Sequence, residues 1–249
     1  MDPVLDREME EAYREEGYVL VEGLLDRGEL AALEEIVPAL SRRLLARPDE
    51  NEHLFEKDGA GRILALRCIH NLLEQHPLFK ELARKKRLLE LVSRFMSPRL
   101  FFYRGIMVLK QRGVGSAFPW HQDFAYWGKG RPELAGCWIA LKNAGLENGC
   151  LEVIPGSHKW GILKVAERDP GKPLLSSEQE ARAIPVPVKA GGAIVFHSLL
   201  VHRSKPNRSA EDRWAIVYEY SAPEFENGLH RFDRHCGWDP YTDRLLELK

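Results

Sequence analysis

The sequence predicts a mainly β protein with flanking helices, a sandwich or barrel preceded by a helical stretch. Three observations carry this. The first hundred or so residues place apolar side chains at helical spacing, as in LAALEEIVPALSRRLLA. Beyond them come many short β-branched and aromatic runs divided by Gly- and Pro-containing turns. Those runs do not alternate with helices, which argues against a doubly wound sheet. The 249 residues read as one domain over 1–249: a helical N-terminal part over about 1–98, a β core over about 99–223 and a tail over 224–249.

The elements follow in order. REMEEAYREEG is a short amphipathic helix that Gly17 stops, and YVLVEGLL is a short strand and turn. Asp26 with Glu29 three residues later makes a capping box for the next helix, in which Pro38 predicts a kink or an end. Residues 47–62 are polar and contain Gly, the composition of a surface loop. LALRCIHNLLEQHPLFKELARKKRLLELVSRFM reads as two helices broken near Pro77 and ending by Pro98. RLFFYRGIMVLKQ then opens the β core, followed by AGCWIALK, CLEVIP, ARAIPVPVK, AIVFH and RWAIVYEYSA, with LENG, PGSHKWG, KAGG and KPNRS as turns. The tail reads as loop with a last helix.

Bulk properties exclude several classes. A net charge of -1 gives no basic surface for nucleic acid or an anionic membrane. The run ARKKRLLE interleaves its charges with leucines, as a solvated helix face does. No apolar stretch approaches the roughly 18–20 residues of a membrane span. The N-terminus is charged from its start, without the apolar run of a secretory leader. Cys68, Cys137, Cys150 and Cys236 are far apart and fit no zinc spacing, which points to free thiols in a reducing cytoplasm.

The chemistry concentrates in WHQDFAYW, residues 120–127. A carboxylate among aromatics is costly to bury unless an arginine, a lysine or a metal faces it. On a strand, His121 and Asp123 point to the same face and can converge. Two ligands hold a metal poorly, so a third should arrive from a neighbouring strand. His53, His70, His76, His230 and His235 lie in polar segments or outside the β core, and His158 sits in a turn. His197 and His202 flank HSLLVH: His202, beside the turn RSKPNRS, is placed to reach a barrel mouth, whereas His197 could serve a nearby backbone carbonyl. Two histidines and a carboxylate on one face of an octahedral iron leave three positions open. Arg213 could then pair bidentately with the far carboxylate of a keto acid chelating that iron.

WHQD, LENGCLEVIPGSHKWG and the stretch from His202 to Arg213 together resemble the phytanoyl-CoA dioxygenase-like family, over most of residues 99–220. The resemblance implies a double-stranded β-helix, the cupin-like jelly roll, and an enzyme dependent on Fe(II) and 2-oxoglutarate with O2 as co-substrate. It implies His121, Asp123 and His202 as metal ligands and catalytic residues, choosing His202 over His197. It also implies Arg213 as the 2-oxoglutarate arginine, with Ser204 a further cofactor contact. Related halogenases carry a small residue at the carboxylate position, so Asp123 favours hydroxylation over halogenation.

Other candidates come from position. Tyr126, Trp127 and Trp138 are read as lining a substrate pocket, with core packing as the alternative. Lys110, at a strand end, is a candidate cofactor contact, with solvent as the default. Segments 47–62 and 160–183 have the composition of lids. The expected reaction is hydroxylation of an aliphatic C–H of a small molecule, such as an amino sugar, polyketide or other secondary metabolite, releasing succinate and CO2. The competing expectations are a cupin-type metal enzyme that does not use 2-oxoglutarate, and a non-catalytic β domain binding a small molecule.

Overall fold

The computed structural model describes residues 3–48, 53–126, 134–163, 174–222, 238–241 and 244–245. Helix α1 (Pro3–Glu16) ends at Gly17, whose φ of +84° suits glycine, and a Cβ there would meet the His158 ring at 2.4 Å. After β1 (Tyr18–Val21), Asp26 caps α2 (Arg27–Leu45): its carboxylate accepts from the Glu29 amide, and the Glu29 side chain accepts from the Asp26 amide. Of the two expected outcomes at Pro38, a kink or an end, the end is not observed: α2 continues past it. Leu33, Val37, Leu40 and Leu44 form one buried stripe running past it, and tertiary packing outweighs the lost hydrogen bond.

The expected helical part contains more strand than its sequence suggests. Residues 54–57 of the presumed loop form β2 (Leu54–Lys57), and ILALRCI, read as helix, is β3 (Ile63–Ile69). A short apolar run fits either period. Pairing decides it, since β3 adds to β4 at Cys68 and Ile69 and carries β2 on its other side. Three short helices follow, α3 (Leu72–Gln75), α4 (Pro77–Ala83) and α5 (Lys86–Phe95).

Two sheets make the β core. The larger, nine-stranded sheet has the order β1-β9-β6-β11-β4-β12-β13, with β3 also on β4. Its body is β4 (Phe101–Lys110), β6 (Leu134–Ala140), β9 (Ala193–His197) and β11 (Arg213–Ser221). The smaller sheet has the order β5-β10-β7-β8, from β5 (Phe118–His121), β7 (Leu151–Val153), β8 (Ile184–Val186) and β10 (His202–Ser204). Between β7 and β8 lies a single helical turn, α6 (Ser177–Glu180). All the strand pairs are antiparallel, and the double-stranded β-helix expected from the sequence is the fold observed. The described tail is strand rather than helix: β12 (Trp238–Asp239) and β13 (Arg244–Leu245) extend the large sheet beyond β4.

The large sheet buries both faces, and its side chains sort by alternation. On β11, Trp214, Ile216, Tyr218 and Tyr220 pack with the helices in one core, which also holds Phe102, Phe79 and Val37. Ala215 and Val217 face the smaller sheet and join Trp138, Phe196, Leu151 and Val153. Tyr218 donates its hydroxyl to the Phe79 carbonyl at 2.6 Å, and Tyr220 donates to that of Ala83 at 2.5 Å, so α4 is pinned to the sheet. Phe102 meets both rings edge-on. Phe102→Ala should therefore lower stability by about 3–5 kcal/mol. Tyr218→Phe should cost only about 0.5–1.5 kcal/mol. Urea denaturation of both variants checks the contrast.

Candidate metal and cofactor site

The site sits between the sheets. His202 pairs directly with His121 across β10 and β5, and their rings lie 4.1 Å apart between centroids. Asp123 is not on the strand, as the i, i+2 reading assumed. β5 ends at His121, and Asp123 begins a 3-10 turn (Asp123–Tyr126). The turn is fixed from both sides. Gln122 donates to the Gly161 and Leu199 carbonyls and accepts from the Leu163 amide, each at 2.8 Å. Phe124 is buried against Tyr103, Leu134 and Leu199, and its amide donates to the Ser198 carbonyl.

The result is convergence. Asp123 Oδ1 lies 3.5 Å from His121 Nε2 and 3.7 Å from His202 Nε2. One ligand atom from each of the three residues falls within 4.8 Å of the others. His121 Nδ1–H donates to the Pro119 carbonyl at 2.7 Å, and His202 Nδ1–H donates to that of Leu200 at 3.0 Å. With Nδ1 protonated, each Nε2 lone pair faces Asp123, the tautomer a metal ligand needs. Burial, with His121 beside it, pushes His202 down to about 4, so it is neutral at physiological pH. Burial alone would raise Asp123, but both histidines and Arg104 hold its carboxyl well below the usual range. Two imidazoles and one carboxylate on one face form the donor set that suits Fe(II) with open positions.

Arg213 occupies the other end of the same cavity, whose walls include Ile106, Val108, Trp138, Leu151, Phe196 and Val217. It is 1% exposed, and its Nε and Nη1 atoms have no hydrogen-bond partner among the described residues. Burial pushes its guanidinium down to about 9, still cationic at neutral pH. The centre of the Trp138 ring lies 5.4 Å from the guanidinium carbon. A buried guanidinium with two unpartnered nitrogens fits a carboxylate brought by a ligand. Trp138 therefore borders the arginine end of the cavity. Ser204 also lines it and is buried.

Lys110 neither reaches this cavity nor meets solvent, which corrects both expectations for it. It is fully buried, and its ammonium donates to the carbonyls of Ser116, Ser204 and Lys205 at 2.7, 3.3 and 2.6 Å. These three bonds use all its donors and tie the approach to β5 to the end of β10. Burial, with Arg213 and Arg67 nearby, pushes its pKa down, against which the three carbonyls favour the ammonium form. Trp127 lies outside the described residues, as does the side chain of Tyr126; so do residues 164–173 of one expected lid and 49–52 of the other. Cys68, Cys137 and Cys150 are buried free thiols, and Cys236 lies outside the described residues.

The other histidines are placed away from the triad. His197 accepts from the Leu199 amide and packs beside His158 and Tyr13. His53 accepts from the His70 amide, His76 caps α4, and His158 donates to the Arg14 carbonyl. His230 and His235 lie outside the described residues. Sequence reasoning missed two groups. The β2–β3 hairpin steadies β5: Glu56 accepts from the amide and hydroxyl of Ser116, while Arg67 donates to the Ala117 carbonyl and covers the Phe118 ring. Arg104 and Glu219 form a buried ion pair beside Asp123. Period-two counting forward from Arg213 along RWAIVYEYS would have turned Glu219 inward.

A family model described as phytanoyl-CoA dioxygenase (PhyH) matches residues 13–215. The chain belongs to this family. Among curated relatives, a phytanoyl-CoA dioxygenase domain-containing protein 1 from Danio rerio is 29% identical, covering 91% of this chain and 92% of its own. An L-proline trans-4-hydroxylase from Streptomyces griseoviridis is 27% identical, over 88% and 87%. Among solved structures, the epimerase SnoN in complex with Fe3+, α-ketoglutarate and nogalamycin RO aligns with a TM-score of 0.67 at 25% identity, over 88% of this chain and 84% of that one. AviO1 from Streptomyces viridochromogenes aligns at 0.70 and 26%, over 92% and all of its own chain. With its triad, this member of the phytanoyl-CoA dioxygenase family is an Fe(II)- and 2-oxoglutarate-dependent oxygenase acting on a small molecule. No helix among the described residues is long and apolar enough to cross a membrane.

Two measurements follow. His121→Ala and His202→Ala should each lose at least about tenfold in Mn(II) affinity by titration of the apo protein, while His197→Ala should bind as the native chain does. His197 supplies a pH effect of its own. Burial, with His158 adding, lowers it from 6.5 to about 4. The unfolded chain therefore takes up a proton that the folded chain refuses, and the stability due to neutral His197 is present above pH 6.5 and lost as pH falls toward 4. Urea denaturation across that window should show a shallower acid loss for His197→Gln.

Proposed function

We propose that this enzyme hydroxylates an aliphatic C–H bond of a small secondary metabolite, with Fe(II) on His121, Asp123 and His202 and 2-oxoglutarate on Arg213. Arg213 is the observation that carries the cofactor assignment: a buried cation with two unpaired donor atoms, in the same apolar cavity as the triad. Its planar fork matches the far carboxylate of the keto acid, and the Trp138 ring restricts its tilt. Ser204 stands beside that end and is assigned as a further contact. Bound iron supplies the redox chemistry, in which O2 and 2-oxoglutarate are consumed, succinate and CO2 leave, and one oxygen atom reaches the substrate.

The chain's own contribution is placement and exclusion of water. The Pro119 and Leu200 carbonyls hold the two imidazoles by Nδ1, which leaves each Nε2 toward the metal position. Gln122 and Phe124 set the turn that presents Asp123. Ile106, Val108, Leu151, Phe196 and Val217 line the space between triad and arginine with apolar surface, where a charge-paired ligand is bound without competing water. Asp123 fills the position a halide would need. The relatives support a small-molecule substrate: SnoN is from nogalamycin biosynthesis, and another relative is named for proline. An amino sugar, polyketide or similar scaffold is within this range. The buried free thiols accord with a reducing compartment, and the cytoplasm is the assigned location.

The SnoN likeness also brings epimerisation into view, because that neighbour is an epimerase. Mass spectrometry under isotopically labelled O2 separates the two: hydroxylation adds a labelled oxygen, and epimerisation leaves the mass unchanged. For the cofactor, Arg213→Ala should reduce 2-oxoglutarate-dependent succinate release at least about 100-fold, and Arg213→Lys should restore only part of it. Keto-acid binding at native strength by Arg213→Ala would sink the assignment.

A further inference from the structure

Lys110 is a fully buried cation that the proposed chemistry leaves without a role. It ends β4, paired with Arg213 on β11. Its surroundings are built to hold it. The buried Asn207 donates from Nδ2 to the Lys110 carbonyl at 2.8 Å, and from its amide to the Gly115 carbonyl at 2.9 Å. A Cβ on Gly115 would fall 2.7 Å from the Lys110 Cα and Cβ, so glycine lets the chain close over the lysine. Gly149, at φ +80°, makes a second close approach. A Cβ there would meet the Lys205 carbonyl oxygen at 2.3 Å and the Lys110 Cδ at 3.2 Å.

Such an anchor matters most for β5. This is the edge strand of the smaller sheet, four residues long, and Pro119 within it has no N–H to give to the ladder. His202 faces His121 and Ser204 faces Phe118, so three steps along β5 match two along β10, and the register shifts between the pairs. A ladder this short and irregular needs side chains to fix its register. Gln122 does so beyond His121. At the other end, the Lys110 ammonium joins the Ser116 carbonyl, two residues before β5, to those of Ser204 and Lys205 at the end of β10. Glu56 and Arg67 also hold Ser116 and Ala117, but they reach them from the β2–β3 hairpin and tie β5 to the larger sheet. An apolar side chain could fill the space of Lys110 without the cost of burying a charge. What the ammonium adds is a tie between the two strands that carry the histidines.

We propose that Lys110 is a positioning residue that holds β5 in register against β10, so that His121 and His202 turn their Nε2 atoms to one metal position. This rests on the reading of His121 and His202 as metal ligands. Lys110 touches neither histidine. It acts through the backbone, by fixing the end of each strand to the same ammonium, and it does so from the rigid β4–β11 ladder. The same bonds hold the backbone of Ser204, the residue assigned to the arginine end of the cavity.

Titration of the apo protein with Mn(II), followed by electron paramagnetic resonance, and the visible spectrum of the Co(II) form test this. Lys110→Met keeps the length of the side chain and removes its donors. It should weaken Mn(II) binding about 10-fold or more and change the Co(II) spectrum. Phe102→Ala, destabilised in the helical core away from the triad, is the control and should bind Mn(II) as the native chain does. Native affinity with an unchanged Co(II) spectrum in Lys110→Met overturns the proposal, as does an equal loss in Phe102→Ala, which would make the effect one of stability alone. If Lys110→Met lacks native circular dichroism, Lys110→Gln replaces it. Its shorter side chain has two donors for three carbonyls, so weakened Mn(II) binding is expected and native binding again overturns the idea. His121→Ala runs in parallel: native Mn(II) binding by that variant would mean that the ligand assignment has failed, rather than the positioning role.

Discussion

His202 stands opposite His121 because β10 is sandwiched antiparallel between β5 and β7, and the chemistry of the molecule depends on that register. Each imidazole is held the same way, by a bond from Nδ1 to the backbone carbonyl two residues earlier. Neither ring is free to turn its lone pair elsewhere. Asp123 closes the group from a turn rather than a strand, and the three donor atoms lie within 4.8 Å of one another. A slip of one residue in the pairing would send His202 to the far side of the sheet and Arg203 inward.

The long β4–β11 ladder distributes the charges. Arg213 and Lys110 pair at one end, and Glu219 and Arg104 pair six residues along. At about 3.4 Å per residue this spans roughly 20 Å, with apolar Val108, Val217 and Ile106 between. Positive charge is handled differently at each position. Lys110 is saturated by carbonyls and Arg104 by a carboxylate, which leaves Arg213 as the cavity-lining guanidinium with atoms open to a ligand. That contrast makes the arginine, and not the lysine, the ligand-facing cation.

Local chemistry was legible wherever a residue's role is set by its near neighbours. The capping box of α2, the stop at Gly17 and the apolar runs of β4, β6, β9 and β11 all belong to this kind. The elements that were misread depend on distant partners. β3 looks helical until β2 and β4 flank it, and β2 looks like loop because Glu56, polar in the sequence, is bound to Ser116 sixty residues away. Asp123 was expected on a strand, although Gln122 rather than the sheet directs it. Lys110 carried no sign of burial, since its partners are carbonyls from two other segments. Glu219 was discernible in principle, as a lone acid on the face of β11 that also bears Arg213, Ala215 and Val217.

β11 serves two trades at once. Its tyrosines and Trp214 face the helices, and the alternate residues face the reaction chamber. Evolution can therefore retune selectivity along one edge of this strand while leaving the helical layer untouched, provided that substitutions keep parity. Insertion or deletion of one residue is barred, because it would exchange the two sets wholesale and place Trp214 and the tyrosines where the ligand must sit.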